Sequence, residues 1–224
     1  MNALLRIDWS PLGLSFLVAL CATLVATVVG LPCAWLLARR SFRGRALVEA
    51  LTTLPLVLPP TVLGYYLLVA FGRGTVLGRA FEAATGSPLT FTLWGAVLAA
   101  TVHAWPILVR SARAAIANVD PSLEQAARTL GAGEWRVAST ITVPLAARGI
   151  AAACTLAFAR ALGEFGITLM VAGSIPGRTR TAALAIYDAM QAGRDTEANA
   201  LAAVLVALAL VALWGAGRGS TRDE

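Results

Sequence analysis

Few residues in this 224-residue chain could carry chemistry, and they are scattered. There is one histidine, His103, in TVHAWP, and three cysteines, Cys21, Cys33 and Cys154, all inside apolar runs. The cysteines have neither metal-ligand spacing nor an even disulfide framework, and read as small packing residues. An enzyme needs a nucleophile, a base or a metal set. The chain offers no HExxH, no nucleophile elbow and no G-x-x-x-x-G-K-[ST] phosphate loop. The charges placed to matter are Arg160 and Glu164, four apart in FARALGEFG within an apolar run. That spacing puts them on one helix face, where they can pair. Ionisable groups at membrane depth are functional candidates by default. A salt bridge that only holds the helix is the plainer alternative, and His103 reads as hydrogen-bonded packing.

These residues sit in a chain that is 58% hydrophobic and 13% charged. A soluble domain usually carries about a quarter charged residues, so the composition points to an integral membrane protein. The net charge is +6, and every basic residue is Arg. The Arg residues cluster beside apolar runs, which favours membrane topology over nucleic-acid binding. A bilayer core needs roughly 20 apolar residues per helix. Five runs qualify: Leu12–Ala38, Ala46–Phe71, Leu93–Val109, Ile150–Ala172 and Ala198–Trp214. The third is expected to stop at Arg110 and Arg113, and the fourth is interrupted by Arg160 and Glu164. An all-α integral membrane protein with five transmembrane helices follows, as a single domain over 1–224. Counting flanking Arg places the N-terminus outside and the C-terminus in the cytoplasm, with eleven Arg inside and six outside.

The second run contains LPLVLPPTVLG, with Pro55, Pro59 and Pro60. Proline in a helix removes a hydrogen bond and kinks it. A broken helix lining a path and a bend needed only for packing are both open. Glu49, near the inner end of this run, is placed to pair with a flanking Arg. GSIPGRTRT carries Arg178 and Arg180, which could meet an acidic surface, attract anions or simply be solvated. Ala183–Met190 is expected to form a short outer helix.

Between the third and fourth runs lies LEQAARTLGAGEWRVASTITVPLA, polar and rich in small residues. Asp120 can cap a helix and Pro121 suits its first position. Gly131 stands where a C-terminal glycine belongs. A second short helix is expected after Gly133, with Trp135, Ala138 and Ile141 on one side, and Pro144 marking the turn into the next span. Residues 120–145 thus form a cytoplasmic helical hairpin. Its small residues Ala126, Ala127 and Gly131 would let another surface approach the backbone.

This segment resembles the cytoplasmic signature of binding-protein-dependent ABC importer permeases: Glu-Ala-Ala, three residues, Gly, nine residues, Ile, one residue, Leu-Pro. Gln125, Ala126, Ala127, Gly131, Ile141, Val143 and Pro144 occupy those places. Gln125 replaces the glutamate, with Glu124 one step earlier, and Val143 replaces leucine. One helical step is about 100°, so Glu124 cannot simply inherit the glutamate's contact. SFRGRALVEALTTLPLVLPPTVLGYYLLVAFGR, WGAVLAATVHAWPILVRSAR and LAFARALGEFGITLMVAGSIPGRTRT add a resemblance to the molybdate branch of that family, from about Ser15 to Arg180.

The resemblance implies a type I ABC importer permease fold and alternating access. It implies a multi-pass protein of the bacterial inner membrane that works as a homodimer, with two ATPase subunits holding ATP and Mg and a periplasmic molybdate-binding protein. No cofactor, metal or nucleic acid on this chain is implied. Glu124, Gln125, Ala126, Ala127, Arg128, Gly131, Trp135, Ile141 and Pro144 become the residues that couple to the ATPase. Pro55, Pro59, Pro60, Arg160 and Glu164 become path candidates. Tungstate and sulfate or thiosulfate permeases are close relatives, so a related oxyanion is the alternative substrate. A secondary transporter or channel is the alternative class, but such proteins need no ATPase-docking loop. A tetrahedral dianion cannot enter hydrocarbon, so it needs a wet, protein-lined path. That path should bind weakly, which suits one Arg partly neutralised by Glu164.

Overall fold

In a computed structural model that describes residues 7–220, the regular structure is helical. The helices are α1 (Ser10–Arg39), α2 (Arg45–Val57), α3 (Pro60–Phe71), α4 (Val76–Thr85), α5 (Leu93–Ala117), α6 (Pro121–Thr129), α7 (Glu134–Val137), α8 (Val143–Leu162), α9 (Gly166–Val171), α10 (Ala182–Gln191) and α11 (Asp195–Ser220). A π-helical turn, Ala138–Thr142, joins α7 to α8, so Glu134–Leu162 is one 29-residue rod. Among the described residues four helices are long and apolar enough to cross a bilayer, and five spans result if α2 and α3 count as one. The Arg6 and Arg222 of the charge tally lie outside the described residues, and the termini's sidedness remains an expectation.

The core is built from small residues repeating every fourth position. On α1 the row is Val18, Ala22, Ala26 and Ala34; on α5 it is Ala96, Ala100, Ala104, Leu108 and Ala112; on α8 it is Ala153, Ala157 and Ala161. Rows at this spacing form the ridges of helix packing. Their small side chains let backbones approach where lipid offers no hydrophobic drive. α5 is central, packing against both α1 and α8, while α1 turns Leu24, Val25, Val28 and Val29 outward. α11 packs on α8 and α10 and is otherwise largely exposed.

Two expectations change here, and the proline kink expected in the second run is found as a break. The third run does not stop at Arg110 and Arg113: α5 continues to Ala117. The arginines extend beyond the apolar stretch without ending the helix, since Arg is a good helix former. The second run is two helices bent by 114°. Pro59 is extended at φ −55° and ψ 136°, and Pro60 opens α3 as its first residue. Each proline disfavours the helical region for the residue before it, so Leu58 and Pro59 are both extended and the break falls there. Pro55 sits inside α2 and does not end it. The fourth run also breaks: α8 ends at Leu162, and Gly163–Phe165 leads into α9. Arg160 and Glu164 therefore do not share one helix face. The expected outer helix at Ala183–Met190 falls within α10.

Candidate functional site: a loop and two helix breaks

The loop between α5 and α8 is a compact unit. Asp120 accepts a hydrogen bond from the Ser122 amide at 2.8 Å, and this bond holds its carboxyl below the usual aspartate range. Gly131 takes φ +84°, a conformation that suits glycine. Around it the Gly131 amide donates to the Arg128 carbonyl and the Ala132 amide to the Ala127 carbonyl, which satisfies carbonyls left over at the end of α6. The second helix is α7, which runs on through the π turn into α8. Pro144 is thus not a turn. It is the second residue of α8, just past the π turn in which the Val143 amide reaches back to the Ala138 carbonyl.

Glu124 faces inward. It is 2% exposed. Arg39 Nε donates to its Oε1 at 2.8 Å, and Thr142 Oγ1 donates to the same oxygen at 2.7 Å. Arg128 reaches its Oε2 at 3.4 Å and also donates to Glu134 at 3.0 Å. The Glu134 carboxylate raises the affinity of the Arg128 guanidinium for its proton. Arg39 also donates to the Val119 carbonyl at 2.9 Å. One carboxylate thereby ties the end of α1, α6 and the start of α8 together. Neither Arg39 nor Thr142 stood out in the sequence, because both lie far from Glu124 along the chain. The outer surface of the loop is left to Gln125, Ala126, Leu123, Leu130 and Trp135, the last two 89% and 84% exposed. Ala127 and Ile141 are half-buried.

A second cluster lies where α8 breaks. Glu164 is 3% exposed. It accepts from the Ile167 amide at 2.8 Å and so caps α9. Its other oxygen contacts His103 of α5, and Arg160 Nη2 lies 3.4 Å from that oxygen. Arg160 also reaches the His103 ring. The expected Arg160–Glu164 pair is present, but His103 completes it, and no local spacing could have joined a histidine 57 residues away. The Arg160 side chain keeps 30% exposure.

The two breaks meet. A Cβ placed on Gly166 would lie 2.7 Å from Cβ of Pro60, and one on Gly64 would lie 2.6 Å from Cβ of Met170. Glycine is required at both positions for α3 and α9 to touch. Of the path candidates, Pro60, Arg160 and Glu164 gather around this junction, Pro59 sits in the α2–α3 break, and Pro55 lies within α2.

A family model described as the binding-protein-dependent transport system inner membrane component matches residues 12–216. The chain is 46% identical over 207 residues to the molybdenum transport system permease protein ModB of Escherichia coli (strain K12), covering 92% of this chain and 90% of that one. It is 43% identical to the putative molybdenum transport system permease protein YvgM of Bacillus subtilis (strain 168), covering 92% and 91%. Among solved structures, inward-facing conformations of the MetNI methionine ABC transporter match at a TM-score of 0.76 with 18% identity, covering 97% of this chain and 96% of that one. A bacterial alginate ABC transporter in complex with an alginate pentasaccharide-bound periplasmic protein matches at 0.68 with 17% identity, covering 95% and 77%. The same helical architecture thus recurs in ABC importers of unrelated substrates. With its signature loop, its apolar spans and a match over nearly its whole length, this chain belongs to the binding-protein-dependent transport system inner membrane component family.

Proposed function

We infer that this chain is the permease subunit of an ATP-driven importer that carries molybdate across the inner membrane. The observation that carries the reading is 46% identity over 92% of the chain to a molybdenum transport permease. The chain is a transport component, and ATP is hydrolysed on a separate subunit. In the working assembly two copies face each other, each with an ATPase on the α6 side and a periplasmic molybdate-binding protein on the opposite side. The N-terminus lies outside and the C-terminus in the cytoplasm.

Within that assembly residues 120–145 are the coupling element. Their outer face, with Gln125, Ala126, Leu130 and Trp135, enters a groove on the ATPase. The support for this is an exposed apolar surface on an otherwise polar loop that a buried carboxylate holds rigid. The glutamate of the family pattern has no charged counterpart on this face, because Gln125 is exposed and Glu124 is turned inward. The coupling contact is therefore one of shape and apolar area. The oxyanion passes the junction of the two breaks, where irregular backbone at membrane depth is tolerated only when it is buried or lines a cavity. Arg160 offers one partly exposed guanidinium there, and Glu164 and His103 moderate it.

The test is uptake of labelled molybdate, tungstate and sulfate by the complex reconstituted with its ATPase and binding protein. Molybdate uptake should exceed sulfate uptake, and Ala126→Arg should abolish transport-coupled ATP hydrolysis while the permease still dimerises. Coupled hydrolysis that survives Ala126→Arg would sink the coupling assignment. Preferred uptake of sulfate would replace molybdate with the related oxyanion.

A further inference from the structure

A polar cavity of about 300 Å³ lies between α1, α2 and α5. It belongs to the end of the bundle that carries α6: its lining residue Leu37 is two positions before Arg39, which is bonded to Glu124. Thr52, Glu49, Arg110 and Arg113 give it its chemistry. Thr52 is 6% exposed and its side chain lines the cavity. Arg110 is exposed at the mouth. Glu49 is already matched, at 3.0 Å from Arg45 and 2.7 Å from Arg113. Three guanidinium groups against one carboxylate leave the surroundings at +2.

We propose that this cavity is a low-affinity site for a tetrahedral oxyanion. Guanidinium forks match the paired oxygens of such an anion, and the Thr52 hydroxyl in the lining can donate a further hydrogen bond. The volume equals about ten water molecules of liquid, which leaves room for the anion with part of its hydration. Glu49 weakens the hold, as an anion that must leave requires. The same chemistry would accept the phosphate of a lipid headgroup. This inference rests on the oxyanion-permease reading above.

The experiment uses the permease–ATPase complex in neutral phosphatidylcholine nanodiscs, with no binding protein, dialysed to equilibrium against labelled molybdate. Saturable binding of one anion per permease chain is expected. Thr52→Val keeps the shape of the side chain, and Arg110→Gln keeps most of its length; each should weaken binding by about tenfold, the size of one charge-assisted hydrogen bond. Glu49→Gln should tighten it, an outcome no purely structural role predicts. A parallel arm with phosphatidic acid in the nanodisc identifies the source: bound lipid that survives detergent extraction in the wild type, and is lost in Thr52→Val, assigns the site to headgroup phosphate. Absence of saturable binding in both arms overturns the proposal, and so does binding that neither variant alters. Uptake with the binding protein, measured on the same preparation, tests the transport reading separately. Normal uptake without dialysis binding removes only the site, whereas uptake of no oxyanion removes the transport reading.

Discussion

Two glutamates, forty positions apart, do the same work in different surroundings. Glu124 and Glu164 are 2% and 3% exposed. Each gathers a guanidinium and a second polar group from another helix, and each stands where a helix begins or ends. Glu124 is served by Arg39 and Thr142 at the edge of the bundle. Glu164 is served by His103, Arg160 and the Ile167 amide inside the apolar region. Their arginine partners are similarly exposed, Arg128 at 35% and Arg160 at 30%. The difference lies in what each carboxylate holds: Glu124 ties a loop to the ends of two long helices, whereas Glu164 holds a helix break within the apolar run. A buried charge is tolerated where its partners are complete, and deleting one partner is worse than never having the pair.

The first way to break the comparison is Glu164→Ala. It leaves Arg160 and His103 facing each other without a counter-ion and should destabilise the permease by about 3–5 kcal/mol, read as earlier loss of the folded, monodisperse species in thermal size-exclusion. Survival of that species to the wild-type temperature would put the two glutamates on equal terms. Glu124→Ala should come next, at about 2–3 kcal/mol for a buried charge-assisted network at the bundle edge. Its mark is different: proteolysis within residues 120–137 while the spans stay folded. Gly166→Leu sharpens the membrane side. It forces the α3 and α9 breaks apart and should cost about 1–3 kcal/mol by overpacking, with transport lost before folding. The smallest effect is a pH effect at Asp120. Its carboxyl is held below the usual value, so its capping contribution is present above the unfolded pKa of about 3.9 and fades as pH falls through the lower folded value. The protection factors of the Ser122 and Leu123 amides should fall below about pH 4, and Asp120→Asn should remove that dependence.

How much of this was legible depends on how local each cause is. The caps of α6 were readable because Asp120, Pro121 and Gly131 act on their immediate neighbours. The spans were readable because hydrophobic length is a property of the run itself. The direction of Glu124 was half readable: the 100° step said it could not stand where the pattern wants glutamate, but not that Arg39 would meet it. The α8–α9 break was hidden, since Gly163 within an apolar run is compatible with a continuing helix, and only capping of the Ile167 amide by Glu164 makes stopping favourable. His103 was legible as hydrogen-bonded packing, but its partners Glu164 and Arg160 were hidden for the same reason. Its partners come from packing of α5 against α8, which no spacing along the chain encodes.

The π turn at Ala138–Thr142 has a mechanical meaning. An α-helix takes about 3.6 residues per turn, so a rod with one surplus residue in a turn carries stored slack, like a screw with play in its thread. Glu124 grips that thread at Thr142, inside the slack turn. A pull on α6 that drew the surplus residue out would rotate the membrane part of the rod about its own axis. Tilting would be secondary, and Arg160, five turns higher, would sweep sideways while staying at the same depth.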